Sequence, residues 1–398
     1  MATGDDVRDN VKKYYGSRLE SSDDLQTSAT TCSLPRCPMP NSVQEALHQV
    51  HPEVTKRFFG CGLPFPAKLD GCRLLDLGSG SGRDCYAFSK LVGAHGHVTG
   101  IDMTEQLVTA SRQHIDYHQK KFGYEKPNVA FVEGYMEKLG EAGIQDDSMD
   151  VVISNCVICL CPDKKAVLQQ AYNVLKEGGE LYYSDMYASQ VIPDHMKHDA
   201  VLWGEGMAGS LFWQDLITLA HSVGFSTPLL VSASNIVVYD CELKAKTGDI
   251  RYASGTYRMF KLPRNAVKTR ATVTYKGTVA DFPDQLDFDS SHCFKTDEEV
   301  NVDGKMAAIL QSSRFSSDFK IKPSDGESCS EPKSQTDEVN VDERWLQSFS
   351  SCFSSDFKIQ PSDGESCSEP KSQYCHLNPF LLDHRLGFCV KQCSKTCK

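Results

Sequence analysis

The sequence predicts an α/β protein whose open parallel sheet carries helices on both faces. An apolar stretch, residues 74–77, runs into a turn with glycine at every second position, Gly78, Gly80 and Gly82. Glycine lets a backbone approach a ligand closely, because no Cβ stands in the way. Strand-like and helix-like patterns then alternate as far as Asp185, and crossovers of that length join parallel strands.

Five strands and their connecting helices follow from apolar patterning and turn residues. The predicted strands cover residues 74–77, 97–103, 129–133, 149–155 and 180–185. The predicted helices cover residues 86–91, 104–118 and 164–175, the last closed by Gly178 and Gly179. Before the sheet we expect an N-terminal helix and a second helix over 42–58, with Ser42 as N-cap and Glu45 completing a capping box. After it we expect a helix over 213–223, strands over 229–261 and short strands over 262–295.

Charge and hydropathy exclude several classes of function. The chain has 53 acidic and 42 basic residues and a net charge of −11, which does not favour a nucleic-acid partner. It contains neither a run of 18 apolar residues nor a signal-peptide pattern at its N-terminus. We therefore expect a cytoplasmic monomer that binds neither nucleic acid nor a membrane.

The 17 cysteines are many for such a protein. Reduced thiols serve as packing residues, metal or metalloid ligands, or redox groups. Cys61 lies between two glycines, which favours an approachable sulfur, whereas Cys32 lies in a polar loop. The remaining noteworthy thiols form two clusters, Cys156, Cys159 and Cys161 after the fourth strand, and Cys389, Cys393 and Cys397 in the tail. The first cluster has no second pair at zinc-finger spacing, which disfavours zinc. The tail cluster fits either soft-metal binding or a flexible segment.

The glycine turn indicates the cofactor. Its Gly-x-Gly-x-Gly spacing lacks the longer form that presents a helix N-terminus to a pyrophosphate. Asp102, at the end of the second strand, can accept both hydroxyls of a ribose. Together these features predict S-adenosylmethionine and a class I methyltransferase (Rossmann-like) sheet. The residues predicted to contact this cofactor are Asp76, Gly78, Gly80, Gly82, Arg83, Asp102, Met103, Tyr135, Met136 and Asn155. For Tyr135 and Met136, a role in the core is an equal alternative.

The chain divides into five predicted regions. Residues 1–70 form a helical cap with a thiol loop, 71–186 the cofactor-binding domain, 187–262 an α+β metalloid-binding domain, 263–325 a C-terminal domain, and 326–398 a largely disordered tail. The chain contains an internal repeat, in which residues 296–335 reappear as residues 336–373. Most of this repeat lies in the tail. Two units are too few to stack a core, so we read the repeat as a segment duplication or an artefact of sequence assembly.

Four segments, residues 75–86, 96–103, 154–157 and 178–185, resemble arsenite methyltransferases, and the resemblance extends over about residues 7–325. It implies transfer of methyl groups from S-adenosylmethionine to trivalent arsenic, for arsenic detoxification. The implied substrates are arsenite and methylarsenite as thiol conjugates, with a thiol reductant of the thioredoxin or glutathione type. By this resemblance Cys156 is an arsenic ligand, and Cys61 and Cys32 either bind arsenic or form a disulfide that reduces it during turnover.

The sequence departs from that family at the acceptor site. The family has a cysteine after Trp-Gly-Glu, where this chain has Gly206, and Cys159 and Cys161 are additional thiols. Phe58 and Phe59 stand where the family commonly has tyrosines. Either Cys159 or Cys161 supplies the missing sulfur, or activity on arsenite is reduced and an already methylated, two-thiol substrate is preferred. Two further alternatives are methylation of a small organic molecule and arsenic binding without catalysis.

Overall fold

The computed structural model describes residues 4–18, 24, 26–28, 39–324 and 374–385. Its α-helices are α1 (Gly4–Lys13), α2 (Asn41–His48), α3 (Pro52–Lys56), α4 (Arg83–Leu91), α5 (Glu105–Arg112), α6 (Ile115–Phe122), α7 (Lys164–Val174), α8 (Ala200–Gly204), α9 (Trp213–Val223), α10 (Cys241–Thr247), α11 (Gly304–Ser312) and α12 (Pro379–Arg385). A π-helical turn, Tyr14–Arg18, continues α1.

The strands are β1 (Arg73–Leu77), β2 (His97–Asp102), β3 (Val129–Glu133), β4 (Met149–Asn155), β5 (Leu175–Ala188), β6 (Leu211–Phe212), β7 (Leu229–Ile236), β8 (Tyr252–Phe260), β9 (Ala271–Tyr275), β10 (Gln285–Asp287), β11 (Cys293–Lys295), β12 (Glu299–Val302) and β13 (Phe319–Pro323). The main sheet has the order β3-β2-β1-β4-β5-β8-β7, with β6 beside β5. Strands β1 to β6 pair in parallel, whereas β8 is antiparallel to both β5 and β7. The predicted α/β class, a mostly parallel sheet, is therefore confirmed.

Alternation along the central strands places apolar side chains on both faces of the sheet. Leu74 packs on one face with Phe88 of α4, whereas Leu75 packs on the other with Leu168 of α7. All four of these side chains are at most 1 % exposed. Helices therefore cover both faces, and ligands can reach the sheet only at its ends.

Two predicted strands, β3 and β4, have the predicted bounds. Strand β5 is longer than predicted and includes Gly178 and Gly179. The predicted helix over 104–118 is two helices, α5 and α6. The predicted helix over 42–58 is also two helices, because Pro52 has no N–H to continue a helix and instead opens α3 behind the His51 cap. Ser42 lies inside α2, whose N-cap is Pro40.

The region after the cofactor-binding domain is joined to the same sheet. The predicted boundary at 187 falls inside β5, and β8 extends the sheet beyond it. Glu180 of β5 is fully buried and forms ion pairs with Arg258 of β8, at 2.6 Å, and with Arg314. A small antiparallel sheet, β12-β9-β13, packs around a separate apolar core.

Within the predicted tail, residues 374–385 are structured, and the duplicated segment 325–373 lies outside the described residues. The Tyr257 hydroxyl donates a 2.7 Å hydrogen bond to the carbonyl of Leu377. Leu377 and Phe380 are buried against the main apolar core. Among the helices of the described ranges, none is long and apolar enough to cross a membrane.

Candidate active site

A cleft opens where β1, β2, β3 and β4 end at their carboxyl edge. Its lining includes Asp76, Gly78, Gly80, Asp102, Met103, Tyr135, Met136, Asn155 and Cys156 among the predicted site residues. Arg8, Val11 and Tyr15 from the N-terminal helical segment line it as well, together with Phe58 and Phe59. Most of the predicted cofactor contacts therefore surround one space.

The glycine turn wraps tightly over the sheet edge. The amides of Gly78 and Ser79 both donate to the carbonyl of Ile101, at 2.8 and 3.0 Å. Gly78 and Gly80 have φ values of +70° and +53°, a region that favours glycine. A Cβ on Gly78 would lie 2.4 Å from the side chain of Val157, whereas a Cβ on Gly80 would meet no atom within 4 Å. The first glycine therefore allows close packing, and the second leaves room for a ligand.

Asp102 fixes this turn from the end of β2. One carboxylate oxygen accepts from the Gly80 amide at 2.9 Å, and the other accepts from the Thr104 amide at 2.8 Å. Burial raises the pKa of Asp102. Asp76 is buried behind the turn, where the Cys85 thiol donates to it at 3.1 Å. Burial, followed by the Asp84 charge, raises the pKa of Asp76 well above its ordinary value.

Two predicted cofactor residues, Gly82 and Arg83, lie outside the lining of the cleft. A Cβ on Gly82 would lie 2.7 Å from the ring of Phe131, so this glycine allows close packing of the turn. The Arg83 guanidinium pairs with Asp84 and stacks over the ring of Phe58, 3.1 Å from its centroid. Both positions support the cleft from behind.

The N-terminal helix closes the cleft beside Tyr135. Lys12 donates a 2.8 Å hydrogen bond to the Tyr135 hydroxyl, and Arg8 pairs with Glu137 at 2.9 Å. Met136 is buried behind them, 9 % exposed. The Tyr135-Met136 segment is thus both a wall of the cleft and a docking point for α1.

Cys156 lines the cleft, as does Cys161, and contacts two further thiols, Cys61 and Cys159, that lie behind the lining. Cys61, Cys156 and Cys159 belong to one apolar cluster, which also contains Met186 and Met207. Cys156 has a φ of +60°, an uncommon conformation for a residue with a Cβ and one found at functional sites. The sulfur atoms of Cys156 and Cys159 and a carboxylate oxygen of Asp185 lie within 4.8 Å of one another.

The thiols influence one another's protonation. Contacts with the Cys159 thiol and then the Cys61 thiol, followed by burial, raise the pKa of Cys156 well above its ordinary value. For Cys159, contact with Cys156 lowers the pKa and burial raises it, with a net value of about 11. The approachable sulfur predicted for Cys61 from its flanking glycines is wrong, because Cys61 is only 1 % exposed and packs in the apolar cluster. Its carbonyl accepts from the Ser254 hydroxyl at 2.9 Å. The raised pKa values keep Cys156 and Cys159 as neutral thiols, and a thiophilic ligand can bind them by displacing their protons.

Asn155 joins the cleft to the thiol cluster. Its amide oxygen accepts from the Gly62 N–H at 3.2 Å, and its NH₂ group donates to the Gly62 carbonyl at 3.0 Å. The same NH₂ group donates to the carboxylate of Asp84 at 2.9 Å. The position of the Cys61 loop is therefore fixed by a residue that also lines the cleft.

The other predicted thiols are placed differently. The sulfur of Cys161 lies 3.4 Å from the sulfur of Met136 and packs in the core that contains β1 and α7. Cys32 and the tail cysteines Cys389, Cys393 and Cys397 lie outside the described residues. Cys241 is disulfide-bonded.

Several residues of the site had no clear signal in the sequence. The Tyr14 hydroxyl donates to buried Glu205 at 2.6 Å, and the Tyr15 hydroxyl donates to the carbonyl of Gly204 at 2.9 Å. Asp185 holds the Cys159 amide at 2.9 Å, and burial raises its pKa to about 6. Consecutive tyrosines and a strand ending in aspartate were the available signals, but neither specifies a partner so distant in the chain.

Comparison with known proteins identifies the family. A methyltransferase domain family matches residues 68–224, and the family described as the arsenite methyltransferase C-terminal domain matches residues 268–347. The chain is 50 % identical to the arsenite methyltransferase of Mus musculus, over 81 % of this chain and 85 % of that protein. It is 48 % identical to that of Homo sapiens, over 80 % and 84 %.

The likeness extends to a solved structure. The crystal structure of an arsenic(III) S-adenosylmethionine methyltransferase from Chlamydomonas reinhardtii superposes with a TM-score of 0.69 at 42 % identity. That match covers 72 % of this chain and 97 % of the algal one. By sequence and by fold, the chain belongs to the arsenite methyltransferase family.

Proposed function

We propose that this protein transfers methyl groups from S-adenosylmethionine to thiol-bound trivalent arsenic. The observation that carries the proposal is the juxtaposition of two unlike sites. A glycine turn and the Asp102 carboxylate form one end of the cleft, and Cys156, flanked by Cys61, lies at the other. Membership of the arsenite methyltransferase family supports the same reading.

The cleft suits S-adenosylmethionine. The Asp102 carboxylate is fixed by two backbone amides at the end of β2, where a ribose can be held. The residues proposed to hold the cofactor are Asp76, Gly78, Gly80, Asp102, Met103, Tyr135, Met136 and Asn155, with Gly82 and Arg83 supporting them. When bound, S-adenosylmethionine supplies a methyl group on a cationic sulfur that the lone pair of arsenic(III) can attack.

The protein's own contribution is to bind and position arsenic. Sulfur is the preferred ligand of a soft, thiophilic element, and Cys61 and Cys156 supply it within an enclosed apolar cluster. The fixed backbone of Cys156 and the Asn155 bridge hold these sulfurs relative to the cleft. Alignment of the reacting atoms at about 3–3.5 Å is the main source of rate in such a reaction.

Methylation of arsenic(III) formally oxidises it to arsenic(V), and two electrons must be returned before another cycle. We propose that protein thiols supply them, with Cys32 and Cys61 as the predicted pair, and that a thioredoxin- or glutathione-type reductant then reduces the disulfide. The substrates are arsenite and methylarsenite, presented as thiol conjugates. The proposed compartment is the cytoplasm, and the proposed form is a monomer.

The test incubates the purified full-length chain with arsenite, S-adenosylmethionine and a thiol reductant, and then speciates arsenic. We expect methylated arsenic from the parent and at least a roughly 100-fold loss in Cys156→Ser and Cys61→Ser, because arsenic is no longer positioned. Cys72→Ser is the matched control, since that free thiol is buried elsewhere, against the carbonyl of Lys68.

The alternatives give different results. A methyltransferase of small organic molecules would yield no methylated arsenic and would tolerate Cys156→Ser. A non-catalytic arsenic-binding protein would retain arsenite through the thiols without consuming the methyl donor. Either result would refute the proposal.

A further inference from the structure

We propose that Cys159 supplies the third sulfur ligand of arsenic, at the place where a side chain at position 206 would otherwise reach. This inference rests on the proposed function and deepens it. Trivalent arsenic accepts three sulfur ligands when all its oxygens are exchanged, and two of them are assigned to Cys61 and Cys156. A third thiolate would let the site hold inorganic arsenite itself, and not only a methylated arsenical that exchanges two ligands.

The geometry around Gly206 points to Cys159. A Cβ placed on Gly206 would lie 3.2 Å from the sulfur of Cys159, closer than to any other atom. The next nearest atoms are the methyl and sulfur of Met186, at 3.6 and 3.8 Å. The sulfur of Cys159 therefore already occupies the space beside position 206 on the side where the cluster lies.

The backbone at 206 explains why glycine stands there. Gly206 has a φ of +80°, a conformation that other residues rarely adopt. Its amide donates to the Trp203 carbonyl at 2.9 Å, and its carbonyl accepts from the Ser210 hydroxyl at 2.8 Å. The loop thus has a well-defined path without a side chain at this position.

Cys159 is held in place from several directions. Its amide donates to Asp185 at 2.9 Å, and the other oxygen of that carboxylate accepts from the Met186 amide at 2.8 Å. Its carbonyl accepts from the Lys164 ammonium at 3.3 Å, and a Cβ on Gly209 would lie 1.9 Å from that carbonyl oxygen. A ligand whose backbone is fixed in advance loses little conformational freedom on binding.

The second candidate from the sequence, Cys161, lines the cleft, but its sulfur has different neighbours from those of Cys156. Its sulfur contacts the sulfur of Met136 at 3.4 Å and the Val157 carbonyl at 3.7 Å. It packs in the core between β1 and α7, whereas Cys61, Cys156 and Cys159 share a separate cluster. The two sulfurs are separated because Cys159 lies within the helical turn Ile158–Leu160, whereas Cys161 follows that turn in an extended conformation.

The binding step balances without an added oxidant or reductant. Arsenous acid carries three hydroxyl groups, and each protein thiol forms one As–S bond while its proton leaves with one hydroxide as water. Three thiols therefore release three waters, and the oxidation state of arsenic does not change. With two thiols, one As–O bond would remain in arsenite, whereas methylarsenite would be fully exchanged.

The experiment compares arsenite and methylarsenite binding to the full-length chain by equilibrium dialysis, and counts sulfur neighbours of bound arsenic by X-ray absorption. We expect three sulfurs around arsenite in the parent. In Cys159→Ser we expect two sulfurs and at least a tenfold weaker affinity for arsenite, with methylarsenite affinity within twofold of the parent. Cys161→Ser should keep three sulfurs.

Different outcomes test the assignment of Cys159 and the proposed function. Three sulfurs in Cys159→Ser, or their loss in Cys161→Ser, would overturn the assignment of Cys159 while leaving arsenic methylation intact. A parent that binds neither arsenical would instead refute the proposed function. Retained methylarsenite binding in Cys159→Ser shows that the variant is folded, so its arsenite result can be interpreted directly.

Discussion

The two halves of the cleft are built differently. The donor half, residues 73–102 with the ends of β3 and β4, comes from successive strand ends of one sheet and relies on backbone groups. The acceptor half brings together Cys61 before the sheet, Cys156 and Cys159 after β4, and Gly206 after α8. The first half comes from consecutive strands within residues 73–155, whereas the second is assembled from segments between residues 61 and 206.

The difference shows which changes each half can accept. The glycine turn binds through its backbone amides and its positive φ values. Residues of another segment therefore cannot replace it. A thiophilic substrate needs only sulfur atoms at the right distance. With Cys159 as the third ligand, the acceptor half keeps three sulfur ligands although Gly206 stands where the family has a cysteine.

The largest expected effect comes from a substitution that disrupts the donor half alone. Replacing Asp102 with alanine removes the carboxylate that holds the Gly80 and Thr104 amides. Hydrogen bonds to a charged group contribute about 1.5–3 kcal/mol each, so we expect the affinity for S-adenosylmethionine to fall roughly 100-fold or more. Calorimetric titration of the methyl donor measures this, and dialysis should find arsenite affinity unchanged.

Asp146→Ala is the matched control for that variant, because Asp146 is exposed just before the start of β4 and lies outside the cleft lining. It should bind both ligands as the parent does. A parallel loss of arsenite binding in Asp102→Ala would mean that the two halves are not separable in the way we describe.

A smaller effect is expected from a substitution that disturbs the acceptor half. A Cβ on Gly62 would lie 2.3 Å from the hydroxyl oxygen of Ser184 and 2.6 Å from its Cβ. Ser184 is fully buried and bonded to Thr256 at 2.7 Å, so it cannot move aside. Overpacking of this kind costs about 1–3 kcal/mol, and we expect Gly62→Ala to displace the Cys61 loop and weaken arsenite binding about tenfold.

Gly140→Ala is the control for the glycine substitution, since a Cβ there would meet no atom within 4 Å. The measurements are arsenite dialysis and the KM for S-adenosylmethionine, and both values should stay within twofold of the parent in Gly140→Ala. An unchanged arsenite affinity in Gly62→Ala would show that the Cys61 loop does not need this close packing.

The sequence predicted the strands of the donor half because the signals for strands are local, and its cofactor contacts stay a prediction. Apolar runs, alternating glycines and Asp102 follow one another in the printed order, and β3 and β4 have the predicted bounds. The sequence prediction missed two helix breaks, one at Pro52 and one at Gln113-His114 between α5 and α6. Apolar periodicity continues across both breaks and therefore predicts uninterrupted helices. Strand β5 was predicted too short because Gly178 and Gly179 were read as a helix stop.

The acceptor half was predicted only as a set of candidate thiols. The sequence alone does not distinguish Cys159 from Cys161 as a ligand. In the structure, the left-handed backbone of Cys156 and the turn that follows it place the sulfurs of Cys159 and Cys161 in different apolar clusters. The proximity of Cys159 to Gly206 joins segments that are separated by α7, β5 and α8, and no local sequence pattern predicts it. Cys32 stays a prediction, because it lies outside the described residues.

The smallest expected effect concerns acid and His118 of α6, which packs against Tyr86 of the donor half. His118 is fully buried behind the cleft, stacked on Tyr86 at 3.6 Å. One ring nitrogen lies 2.8 Å from the His114 carbonyl, and the other accepts from the His51 amide at 3.2 Å. Burial lowers the pKa of His118 to about 4, below the ordinary value near 6.5 expected for the unfolded chain.

Because the unfolded chain binds the proton first, the stability contributed by neutral His118 is complete above pH 6.5 and is lost as the pH falls from 6.5 towards 4. We expect the free energy of unfolding to drop by about 1 kcal/mol between pH 7.5 and pH 5.5 through this group. Urea denaturation at both pH values, in the parent and in His118→Gln, isolates the contribution. The variant should be less stable at pH 7.5 but should lose less between the two pH values than the parent; equal losses would contradict a neutral, buried His118 and remove the acid sensitivity that we assign to this residue.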